Sequence, residues 1–218
     1  MIDIATSTAE HSKWERREIS LGIGAFVFFV VGVALDGPVN ISSMTGQQVV
    51  AHFKDNKNQM FGAFLAIGIS VFCLLWFLGA MRSRLRQGGV GAERLASTFF
   101  GAGVAFAALL LVGRAAAGAP SAIYGFGSKG AELDPVTASL FRYFAYDLWA
   151  LAGIAASVCV TALSVAGKMT GELPRWVVRT GYVAAVVAFV SVAFPYATLV
   201  LVMLWLGAVS IYTLKRPL

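Results

Sequence analysis

Long apolar runs, most of them closed by one or more Lys or Arg, alternate along this chain with short polar links. Runs of this length read as helices, because about 20 residues rising roughly 1.5 Å each cross a hydrocarbon layer of about 30 Å. A membrane barrel would instead alternate polar and apolar positions over strands of about 10 residues. The pattern predicts six spans, at about 19–35, 58–81, 95–117, 136–167, 175–193 and 197–213. Together they make one all-α polytopic helix bundle over 19–216. Residues 1–18 read as a polar cytoplasmic tail, and they lack the basic, apolar, small-residue order of a cleaved signal peptide, so none is expected.

The breaks carry their own chemistry. Asp36-Gly37-Pro38 ends the first span. Thr45 with Gln48 three residues on is a capping-box pattern, and Val49, Val50 and Phe53 fall on one face, which predicts a short amphipathic helix on the outer membrane surface. Gly118-Ala119-Pro120 is read as the end of the third span and the start of the longest outer loop, to about Leu133. Asp134-Pro135 reads as an N-cap with proline at the first helical position. The 38 residues from Trp176 to Thr213 are too many for one crossing, and Pro195 is the expected hairpin point.

Charge gives these spans a direction. Lys13, Arg16, Arg17, Arg82, Arg84, Arg86, Arg94, Lys168, Arg175, Arg179, Lys215 and Arg216 all fall on one side of the predicted topology, and only Lys54, Lys57 and Lys129 lie in links on the other. Basic residues in short loops favour the cytoplasm, so both termini are expected inside. The same placement accounts for the net charge of +6 without nucleic acid, since no basic tract is interleaved with aromatics. With 58% hydrophobic and 13% charged residues and a mean hydropathy of +0.77, the chain lies far from the composition of soluble domains, which are about a quarter charged. Cys73 and Cys159 each fall inside a span and form no CxxC motif. They read as small apolar fillers.

Ionisable groups at membrane depth carry a large desolvation cost and raise a functional question wherever they occur. Asp36, Arg114, Arg142 and Asp147 qualify, all toward the outer ends of their spans. They are expected to gather in one outer polar pocket, with Arg114 paired to Asp147 and Asp36 bordering the same pocket. The plainer account is snorkelling toward the headgroups. Tyr124, Phe126, Phe141, Tyr143, Phe144, Tyr146 and Trp149 enrich the outer loop and the start of the fourth span. They make a candidate docking or lipid face, beside the plainer reading as an interfacial aromatic belt. Gly62, Ala66 and Ser70, and again Ala152 and Ala156, allow close approach of helices, either within the chain or in self-association as a homo-oligomer.

Several chemistries lack their residues. His11 and His52 both lie outside the predicted spans, so no span supplies paired haem ligands. No metal-ligand cluster, nucleophile elbow or phosphate loop is written in the chain, and Gly88 to Gly91 reads as a flexible turn. No catalytic residue, cofactor or metal is expected, and the chain is read as a non-enzyme.

The segments Trp76-Phe77-Leu78-Gly79-Ala80-Met81-Arg82-Ser83-Arg84-Leu85-Arg86 and Glu172-Leu173-Pro174-Arg175-Trp176 mark two points where a span meets the cytoplasm. On these segments the chain resembles a family of actinobacterial multi-pass membrane proteins to which no activity is assigned. The likeness covers most of the chain and implies a bacterial plasma-membrane location, with no catalytic residue to carry over. The functional expectation is an accessory or stabilising subunit of a larger membrane assembly, surrounded by lipid and contacting other subunits. The alternative is a small transporter or lipid carrier using the outer pocket.

Overall fold

The computed structural model describes residues 4–37, 44–127, 132–190 and 194–216. Among them are seven helices and no strand: α1 (Ile4–Asp36), α2 (Gly46–Asp55), α3 (Lys57–Arg86), α4 (Val90–Phe126), α5 (Pro135–Met169), α6 (Arg175–Phe189) and α7 (Pro195–Lys215). Five stretches are long and apolar enough to cross a membrane: Lys13–Asp36 of α1, and the whole of α3, α4, α5 and α7. The fifth predicted span is represented by α6 alone, whose 15 residues cover about 22 Å, short of a 30 Å core.

Two boundaries differ from the sequence reading. The polar tail is not separate from the first span, because α1 is helical from Ile4. No Gly or Pro stands before Gly22, and nothing there stops the helix from running outward. At the other break, α4 continues through Gly118-Ala119-Pro120 to Phe126. Pro120 removes one amide donor from the helix, yet Ala117, Pro120 and Ser121 are buried, and Ile123 and Tyr124 pack against the cluster beneath α2. That packing offsets the local cost of about 3 kcal/mol for an internal proline.

The other starts follow their caps. Thr45 Oγ1 accepts from the Gln48 amide at 3.4 Å while Gln48 Oε1 accepts from the Thr45 amide at 2.8 Å, which closes the capping box of α2. Asp134 accepts from the Thr137 amide at 2.9 Å, with Pro135 opening α5.

The six helices other than α2 pack in a ring in chain order, α1 against α3, then α4, α5, α6 and α7, which returns to α1. Neighbours are antiparallel. Ser70 Oγ donates to the Ala25 carbonyl at 2.6 Å and Arg84 lies 3.4 Å from Glu15, which sets α3 against α1. Ser210 Oγ donates to the Ile19 carbonyl at 2.5 Å, which sets α7 against α1. α6 ends at Phe189 and α7 begins at Pro195, and the two helices lie side by side, Trp176 of α6 meeting Tyr212 of α7 at a ring distance of 6.3 Å. Arg216 also donates to the Gly171 carbonyl at 2.7 Å. The start of α1 and the end of α7 therefore share one end of the bundle, here the Arg84 end.

One apolar core fills the ring, and a smaller cluster of Val49, Phe53, Met60, Leu133 and Ala138 seats α2 across the opposite, Asp36 end. Ala66, Ser70, Ala152 and Ala156 are buried inside this ring. Cys73 and Cys159 are free and buried.

Candidate functional site

Asp36 is the last residue of α1, and its burial to 4% exposure places a carboxylate among apolar helices. Four donor contacts surround it. Arg114 Nη1 of α4 donates to Oδ1. Arg142 Nη1 of α5 lies 3.1 Å from Oδ2 and 3.4 Å from Oδ1. The Tyr196 hydroxyl of α7 donates to Oδ2 at 2.8 Å. Arg114 Nη2 also donates to the Met60 carbonyl of α3 at 2.9 Å, with the Met60 sulfur at 3.4 Å. The carboxylate thus ties α1 to α4, α5 and α7, and Arg114 extends the tie to α3.

An aromatic wall backs this ionic knot. The Arg142 guanidinium carbon lies 5.8 Å from the Trp149 ring and 5.9 Å from the Tyr196 ring, within range of cation–π attraction. Trp149 and Tyr196 meet at 4.7 Å, and Tyr146 stands 5.6 Å from Tyr196. Trp149 fits because Gly113 faces it: a Cβ at that position would come 2.6 Å from the indole nitrogen. Beneath the knot is a cavity of about 20 Å³ lined by Asp36, Arg114, Trp149 and Tyr196, room for about one water.

The knot holds two guanidinium charges against one carboxylate. Among the described residues Nε and Nη2 of Arg142 and Nε of Arg114 are buried without a hydrogen-bond partner. His52 of α2 lies nearby, half-buried, with Asn56 Nδ2 3.2 Å from its Nδ1. Burial first, and then the positive charge of Arg142, holds its imidazole below the usual pKa of 6.5, against the smaller opposing pull of Asp36 and Asp55.

Three of the four predicted pocket residues therefore come together, and the expected pairing is corrected. Arg114 pairs with Asp36, not with Asp147. Asp147 is exposed on the outer surface of α5, and no ion pair or hydrogen bond reaches it among the described residues. The reason is helical phase: Arg142 and Trp149, seven residues apart, share the inward face, while Asp147 falls between them on the outward one.

The aromatic set is also corrected, because it does not make one face. Trp149 is buried in the ring and Tyr146 leans on the knot. Tyr124 packs under α2, whereas Phe126 stands exposed against Phe61 at 6.3 Å. Phe141, Tyr143 and Phe144 remain exposed on α5. Tyr196 and Met60 were not singled out from the sequence as site residues. Tyr196 lies 160 residues from Asp36, and its only local signal was the Phe-Pro-Tyr hairpin.

Chemically the knot is a tie. The carboxylate accepts from two guanidiniums and a phenol, so its oxygens are engaged within the protein. Among the described residues no group of three His, Cys, Asp or Glu converges as metal ligands would. At the Arg84 end a second, more open tie joins Arg84 to Glu15 at 3.4 Å and to Glu172 at 3.6 Å. Comparison of the chain with the models of known protein families, with curated proteins and with solved structures finds no match.

Proposed function

We propose that this chain is a non-enzymatic integral membrane protein of six spans, with both termini cytoplasmic, that serves as an accessory subunit of a larger bacterial plasma-membrane assembly. The observation that carries this reading is Asp147. It stands about 7 Å along α5 from Arg142 toward the Arg84 end, at 1.5 Å per residue, in an outward stripe with Phe144, Leu151, Ile154 and Val158. Ionised carboxylates within a span pair with a cation or face a polar cavity, and α5 offers Asp147 neither. A transmembrane helix of another protein, carrying Lys or Arg at that level, satisfies it.

A second copy of this chain does not. Its cations near that level, Arg114 and Arg142, are buried and committed to Asp36, and symmetric packing would set Asp147 against Asp147. The carrier alternative draws a path along Asp36, Arg114 and Asp147. The first two neutralise each other above a cavity of about one water, and Asp147 faces away from them, so the docking reading is the one the geometry favours.

The test is purification from native membranes in mild detergent, comparing the native chain with Asp147→Asn and Asp147→Lys. The expected result is a stoichiometric partner with an intramembrane basic residue, lost in both variants and recovered when Asp147→Lys is combined with the partner's basic residue changed to Asp. A lone monomer, or a partner held equally by Asp147→Asn, rejects the reading.

A further inference from the structure

A groove of about 440 Å³ runs between the first turns of α3 and the last turns of α4. Its volume lies within the range of small-molecule sites. The α4 wall is built from Ala115, Gly118, Ala119, Ala122 and Gly125, residues that elsewhere let helices close on one another. Here no helix among the described residues closes on them. Phe61 and Phe64 of α3 form the facing wall, and the Phe61–Phe126 ring contact bridges the two helices.

Two polar features break this apolar lining. Ser121 lines the groove, its residue is 4% exposed, and its hydroxyl has no hydrogen-bond partner among the described residues. A buried hydroxyl without a partner carries a desolvation penalty that a ligand acceptor would recover. At one end stands Lys57, exposed and without an ion pair among the described residues, while Lys54 and Asp55 beside it balance in charge. Behind the wall, Arg114 Nη2 binds the Met60 carbonyl and lies 3.9 Å from where a Gly118 Cβ would stand. The groove is therefore positive at the Asp36 end and apolar toward the middle of the bundle.

We infer that this groove binds one anionic phospholipid of the surrounding membrane, its phosphate at Lys57, an ester oxygen accepting from Ser121, and an acyl chain along Ala115, Ala119 and Phe64. The order of these contacts matches the order of a lipid along the membrane normal. The site lies on α3 and α4 and does not depend on docking at Asp147.

The test is native mass spectrometry of the full chain taken from vesicles of equal phosphatidylglycerol and phosphatidylcholine. One phosphatidylglycerol is expected to stay bound, preferred roughly fivefold, the size of one lysine contact at a membrane surface. Lys57→Gln keeps a lipid but removes the preference. Ala122→Leu, at an exposed position in the groove, loses the lipid while the melting temperature without lipid is unchanged. The inference is overturned if no lipid is retained, if the native chain shows no preference between the two headgroups, or if Ala122→Leu holds phosphatidylglycerol as the native chain does.

Discussion

Changing Asp36 to Asn keeps its volume but leaves Arg114 and Arg142 directed at one site without a counter-charge. Stranding buried cations in this way costs about 3–5 kcal/mol, and the loss is expected in the unfolding free energy measured in micelles. Because the penalty comes from the orphaned charges, Arg114→Met together with Asp36→Asn should lose less than the sum of the two single changes. Additive losses would mean that the pair is not coupled. Tyr196→Phe removes one hydrogen bond to a charged acceptor and should cost about 1.5–3 kcal/mol. His52 gives a pH dependence. Its folded pKa is lowered, so the folded chain binds fewer protons than the unfolded one below about pH 6.5, and stability present above that value falls as the pH drops. Hydrogen exchange on α2 at pH 5.5 and 7.5 checks the sign, with faster exchange expected at 5.5 relative to the intrinsic rate. His52→Gln should flatten the difference.

At the scale of elements, starts were more legible than ends. The capping box at Thr45 and the Asp134-Pro135 step are local chemistry, complete within four residues, and α2 and α5 begin where they predict. The end of α4 was misplaced because Gly118-Ala119-Pro120 carries a strong stop signal, while the packing that overrides it comes from α2, some 70 residues earlier. Partner choice within the knot is illegible for the same reason: the sequence marks Asp36, Arg114, Arg142 and Asp147 as charged at depth, but the phase of α5 and the ring order decide which of them meet. Gly113 shows how tightly two elements are fitted. Gly113→Ala would press a methyl group against the Trp149 indole, and overpacking of this kind costs about 1–3 kcal/mol. A lowered melting temperature with a shifted tryptophan emission is the expected result, whereas Gly79→Ala, where nothing lies within 4 Å of the added Cβ, should change neither.

For the molecule as a whole, the ring of antiparallel helices brings the start of α1 and the end of α7 to the end that carries Arg84, Arg86 and Arg175, while Lys54 and Lys57 stand at the other. In the topology proposed above, the positive-inside rule puts the Arg84 end in the cytoplasm. Single cysteines test this in a background lacking Cys73 and Cys159, both of which are buried. Lys54→Cys should react with an impermeant maleimide on intact cells, and Arg86→Cys and Lys215→Cys only after permeabilisation. Labelling of Lys215→Cys from outside would mean that the final hairpin does not return across the membrane, leaving five crossings.

The Asp36 knot also has a schedule. Its carboxylate is made first, Arg114 and Arg142 follow 78 and 106 residues later, and Tyr196 comes 160 residues later. At about 5–20 residues per second, the phenol leaves the ribosome roughly 10 to 30 s after the acid. Until α4 and α5 are made the Asp36 charge on α1 is unmatched, and until α7 is made the carboxylate lacks its phenol donor. A nascent chain halted before α7 thus keeps an incomplete knot and an open ring, with α1 and α6 both lacking the neighbour that closes the bundle.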